Sequence, residues 1–169
     1  MATLSRSALF LAFCLSLPLF AQPRFPTPAE LGEATNWRNN SAGAMSISQD
    51  GDAVRFTVQF NGGDRWVYPG FSLQQGQTLN GVTAISFELK IEPLDIPQEF
   101  ATALIMLESY HGGRYGYNLP EPGEWQKITV LLPDLDGTPK EGIRVLRIGM
   151  NPKQDALTYS IRNLSLEGT

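Results

Sequence analysis

From Asn36 onward, apolar and polar residues alternate with a period of two, the spacing of strands buried on one face. In VRFTVQF, Val54, Phe56, Val58 and Phe60 share one face, and Arg55, Thr57 and Gln59 take the other. In ISFELKIE, Ile85, Phe87, Leu89 and Ile91 oppose Ser86, Glu88, Lys90 and Glu92. Strand-like runs follow at 102–110, 114–119, 125–132, 143–150 and 157–167. In the last run the apolar parity changes, from Tyr159 and Ile161 to Leu164 and Leu166. One extra residue, a β-bulge around Arg162-Asn163, accounts for that change. No stretch carries a helical stripe.

Asp50-Gly51, Gly62-Gly63 and Gly112-Gly113 read as two-residue hairpin tips, where glycine accepts positive φ. Many short strands at this spacing predict an all-β fold, an antiparallel jelly-roll β-sandwich. An Asp50-Gly51 tip pairs Gln49 with Asp52, Ile47 with Val54 and Met45 with Phe56, so apolar meets apolar along the ladder.

The same reasoning applied to FNGGDRWVYPGF singles out two rings. A two-residue Gly62-Gly63 tip pairs Val58 with Val67, Gln59 with Trp66 and Thr57 with Tyr68. Trp66 and Tyr68 then stand outside the core, beside Arg55, Thr57 and Gln59, as an aromatic strip of the kind that marks binding surfaces. A three-residue loop moves the register by one and sends both rings inward; the pattern leaves both open. In LESYHGGRYGYNL, a Gly112-Gly113 tip pairs Tyr110 with Tyr115, Glu108 with Tyr117 and Met106 with Leu119. That register gathers Glu108, Tyr110, Tyr115 and Tyr117 on one face, with His111 and Arg114 at the tip; capping of the core by the tyrosines is the other reading. Trp125 opens a strand whose Ile128, Val130 and Leu132 point inward, and it reads as structural.

The first residues fall outside this pattern. Arg6 precedes the apolar run ALFLAFCLSLPLFA, which closes on Ala21. It is short for a membrane span and contains Pro18, so residues 1–21 read as a secretory signal peptide and the chain as secreted or periplasmic. Residues 22–35, with Pro23, Pro26 and Pro28, read as an extended leader that docks late or not at all, ahead of a sandwich domain over 36–169. Removing the signal shifts the net charge from −4 to 12 − 17 = −5. Nucleic acid and anionic membrane surfaces are therefore poor partners. The single cysteine, Cys14, leaves with the signal.

Candidate chemistry is sparse. His111 is the only histidine, which argues against a Ser-His-acid site and a histidine-rich metal site. The glycines form no phosphate loop. Seventeen acids leave room for a glycosidase pair, with Glu108 as the group to test. Asp50 and Asp52, like Asp134 and Asp136, read first as turn residues. Neither pair matches the twelve-residue calcium loop. No cofactor is expected; a structural calcium between the N-terminal and last strands stays open.

Trp37 leading into a hairpin, then RWVYPGF, LNGVTAISFELKI, EWQKITVLL, VLRIGMNP and YSIRNLSLEG together resemble the galactose-binding-like jelly rolls. More narrowly, they resemble the non-catalytic carbohydrate-binding modules of bacterial polysaccharide-degrading enzymes. The resemblance spans residues 36–168. It implies a sandwich of about five plus four strands, without catalysis, that stacks sugars on aromatic rings. It also implies a structural calcium in many members, held in several by an acid where this chain has Asn163. The expected ligand residues are Trp66, Tyr68, Tyr110, Tyr115, Tyr117, Arg55, Gln59, Glu108, His111 and Arg114. The alternative is a structural or protein-interaction jelly roll of the cell envelope with no sugar site.

Overall fold

The computed structural model describes residues 23–40, 43–93, 102–108, 113–119, 121–132 and 143–168. Of the side chains in 102–108, it describes those of Ala103 and Ile105. The signal segment, Tyr110, His111, Asp134 and Asp136 lie outside the described residues.

Among the described residues, ten strands are formed. They are β1 (Trp37–Arg38), β2 (Ala44–Asp50), β3 (Ala53–Gln59), β4 (Gly70–Ser72) and β5 (Val82–Ile91), then β6 (Thr102–Glu108), β7 (Gly113–Tyr117), β8 (Gln126–Leu131), β9 (Val145–Asn151) and β10 (Ala156–Gly168). They make two five-stranded sheets, ordered β1-β4-β9-β6-β7 and β2-β3-β10-β5-β8. Every neighbouring pair is antiparallel. This is the predicted β-sandwich.

Alternation places the core. Val54, Phe56, Val58, Ile85, Phe87, Leu89, Ile91, Leu157, Tyr159 and Ile161 point inward from one sheet. Trp37, Phe71, Ile105, Tyr115, Leu146, Ile148 and Met150 meet them from the other. Trp37 packs edge-on against Phe56 and Phe71, with ring centroids 5.6 and 5.8 Å away, and ties the layers together. Each such side chain contributes about 1.5–3 kcal/mol by leaving water.

The bulge is where the parity change predicts it. The β10–β5 register slips between Arg162 and Ser165, and Asn163 has φ 52°. Leu164 thereby returns to the core.

Three expectations need correction. The first hairpin turns at Gly51-Asp52, not Asp50-Gly51: Asp50 faces Ala53, Ile47 faces Phe56 and Met45 faces Val58. The slip is by two residues, so the core face is unchanged, and Gly51 supplies the positive φ of 61°. The leader docks. Arg24 bridges Gln77, and Thr27–Glu30 form a capping box that opens the short helix α1 (Pro28–Leu31). Leu31 is in the core, and its carbonyl accepts from the Trp37 indole at 2.9 Å. Last, Gly62-Gly63 does not close a hairpin. The free edge of β3 is taken by β10, down to Ala156 opposite Gln59, and Phe60 N–H donates to the Asp155 carbonyl. With no edge left, residues 61–69 cross to the other sheet, where Val67 bridges Met150.

Candidate functional site

That crossing decides where Trp66 and Tyr68 go. Val67 is fully buried and Pro69 is buried. Trp66 and Tyr68, on the other side of the same extended backbone, are half-buried. They stack on each other, with centroids 5.3 Å apart and planes 6° from parallel. Val67 opposite Met150 and Gly70 opposite Arg147 belong to one register. It puts Trp66 opposite Asn151 and Tyr68 opposite Gly149. The pair therefore stands on the outer face of the β1-β4-β9-β6-β7 sheet. That is neither the core nor the face that carries Arg55, Thr57 and Gln59.

Glycine at 149 leaves the position facing Tyr68 without a side chain. Arg147 and Arg114 lie close enough to Tyr68 to act on its ionisation. Burial, foremost, and the Asp64 carboxylate push the phenol above its ordinary range, while the two guanidinium groups pull it down. Asp64 also holds the segment, its carboxylate accepting from Trp66 N–H at 3.0 Å. Asn40 folds over Gly70 at the β1 side, close enough that a Cβ on Gly70 would meet its amide. The face thus offers a stacked aromatic pair with guanidinium donors close by. That set can stack on a sugar's C–H face and bond its hydroxyls.

The second hairpin has a different register from the expected one. Gly113 pairs with Leu107, Tyr115 with Ile105 and Tyr117 with Ala103. The shift is odd, so the faces exchange. Tyr115 is 7% exposed and lies in the core. Tyr117 meets Phe87 edge-on at 5.6 Å. Tyr115 offers no stacking surface, Tyr117 is half-buried, and Arg114 and Gly116 point outward instead. Glu108 ends β6 and pairs with Val145.

Arg55 and Gln59 belong to the other sheet and do not join the site. Arg55 is paired with Glu92 and lies 3.9 Å from Asp50. The Gln59 amide donates to the Asp155 carbonyl at 2.9 Å. Trp125 precedes β8 and carries the Arg162 guanidinium 4.3 Å above its ring, while Arg162 also binds Glu88 at 2.6 Å. Val130 and Leu132 point inward as expected. Arg147 escapes the hairpin reasoning altogether. Its signal is in VLRIGMN, where buried Leu146, Ile148 and Met150 force Arg147 and Gly149 outward.

A shallow depression of about 710 Å³ lies away from the aromatic pair, between edge strands β7 and β8, lined by Gly116, Tyr117, Asn118 and Lys127 among others. Among the described residues, no three His, Cys, Asp or Glu side chains come together as a metal-ligand set. No helix among them is long and apolar enough to cross a membrane.

No family model matches the chain, and no curated protein matches it. Solved structures do. The chain is similar to the family 11 carbohydrate-binding module from Clostridium thermocellum in complex with a β-1,3-1,4-mixed-linked tetrasaccharide. The TM-score is 0.53 at 16% identity, over 83% of this chain and 93% of that one. It is similar to CBM28, a non-crystalline cellulose specific carbohydrate-binding module, with a TM-score of 0.54 at 9% identity, over 88% and 97%. A CBM4 structure matches at 0.50 and 11%, over 80% and 96%. At these identities the likeness is one of fold. The chain is a β-sandwich jelly roll of the architecture seen in carbohydrate-binding modules, as its sequence suggested.

Proposed function

We propose that this chain binds a polysaccharide without transforming it, on the outer face of the β1-β4-β9-β6-β7 sheet. The observation that carries the reading is the half-buried Trp66–Tyr68 stack on that face, in a fold similar to that of carbohydrate-binding modules. Large rings on a sheet usually go to the core. Here the core is already served by Val67 and Met150, so the two rings are not needed there. A pyranose laid against an exposed ring face buries apolar C–H groups, and Arg114 and Arg147 donate to its hydroxyls. Export past the cytoplasmic membrane, through the apolar run after Arg6, belongs to the same reading.

The test is a polysaccharide panel against the purified chain by affinity electrophoresis and calorimetry. At least one glycan binds, and Trp66→Ala weakens that binding by about 1–3 kcal/mol, the range of an interface hot spot, with the melting temperature nearly unchanged. Binding that survives both Trp66→Ala and Tyr68→Ala at full strength refutes the site.

A further inference from the structure

We infer that the polysaccharide is acidic and that a cross-strand row of arginines reads its charge; this rests on the carbohydrate reading above. Arg38 is opposite Gly70, Gly70 opposite Arg147, Arg147 opposite Met106, and Met106 opposite Arg114. One row across all five strands therefore carries arginine on the first, third and fifth. Their chain neighbours Trp37, Leu146, Ile148 and Tyr115 are in the core, so all three arginines belong to the outer face. Adjacent strands are about 4.8 Å apart, so the arginines recur about every 10 Å.

The charges are not a by-product of a basic chain, whose net charge is −4. Four arginines outside the row pair with acids: Arg24 with Glu30, Arg55 with Glu92, Arg65 with Asp155 and Arg162 with Glu88. In the row, Arg38 donates to the neutral carbonyls of Thr35 and Trp37. Exposed Arg114 makes no ion pair with a described residue. Among the described side chains, the Asp64 carboxylate lies close enough to Tyr68 to act on it.

A guanidinium fork matches a carboxylate or sulfate better than a hydroxyl. A polymer with one acid per disaccharide repeats its charge at about two strand spacings. Lying across the strands, such a chain brings successive acids onto Arg38, Arg147 and Arg114. The adjoining row runs through Tyr68, Gly149, Leu104 and Gly116, so the polymer lies next to an aromatic edge.

The experiment compares hyaluronan oligosaccharides, polygalacturonate, neutral mixed-linked β-glucan and single-stranded poly(dT) by calorimetry, at low and high salt. The expected result is preference for the alternating uronate polymer, weakened by salt. Arg114→Gln and Arg38→Gln each lower its affinity about tenfold, Arg114→Glu lowers it further, and Trp66→Ala also lowers it. Binding of the neutral glucan alone, indifferent to Arg114→Gln, overturns the charge reading and leaves the carbohydrate reading standing. Binding of no glycan overturns both. Equal binding of poly(dT), untouched by Trp66→Ala, means general polyanion adsorption and also overturns the inference.

Discussion

Trp66 and Tyr115 are both large aromatics placed shortly after a pair of glycines, yet substitution should affect different properties. Trp66 lies half-buried beside Tyr68 on a sheet surface, so its removal lowers ligand affinity and spares the fold. Tyr115 is packed inside. Tyr115→Ala should cost about 3–5 kcal/mol of stability through the cavity it leaves, read as a lower urea midpoint. The hydroxyls of Tyr117 and Tyr159 are buried with no hydrogen-bond partner among the described residues. Burial drives both phenols well above their ordinary ionisation range, and in Tyr159 the neighbouring Tyr117 adds to it. An unmet buried donor costs about 1–3 kcal/mol. Tyr159→Phe keeps the stack on Phe56 at 4.9 Å and should raise the unfolding free energy by about 1 kcal/mol or more. A lower value would mean that the hydroxyl is satisfied.

The short helix α1 depends on Glu30, which accepts from Arg24 at 2.6 Å and from Thr27 N–H at 2.7 Å. The Arg24 bond, chiefly, holds the carboxyl at about 2, below its ordinary 4.5. A lowered carboxylate stabilises the docked leader above pH 4.5, and that contribution is lost as pH falls toward 2. The Trp37 indole bonds the Leu31 carbonyl, so its NMR resonance should report α1 loosening over that window. In Glu30→Gln the acid-dependent step should be absent. At the bulge, Asn163 sits in the left-handed region. Asn163→Val should destabilise the chain by about 1–2 kcal/mol in thermal unfolding. The bulge was legible because a buried face makes a one-residue slip visible as a change of parity. The long strands were legible for the same reason. The glycine pairs were not. Gly62 and Gly63 do take positive φ, 81° and 75°, as a hairpin tip requires. Local sequence cannot tell that β10, almost a hundred positions later, occupies the edge of β3. Gly113 reads as a turn residue but serves packing: Tyr115 ring atoms lie 2.8 Å from where its Cβ would be.

Two sheets close one core between them and leave two outer faces of different character. The β2-β3-β10-β5-β8 face spends its arginines on acids, Arg55 with Glu92 and Arg162 with Glu88. The β1-β4-β9-β6-β7 face combines the aromatic pair with the arginine row. The sequence identified Trp66, Tyr68 and Arg114 as candidates but assigned them to the wrong partners, because their meeting place is a sheet built from distant strands. The most direct test is an NMR titration of the isotopically labelled chain with mixed-linked β-glucan and hyaluronan tetrasaccharides. The account predicts that one of them shifts the Trp66 indole N–H and the Arg114 and Arg147 Nε–H signals, with amide shifts confined to β1, β4, β9, β6 and β7. Shifts confined to β2, β3 and β10, or none with either sugar, would contradict it.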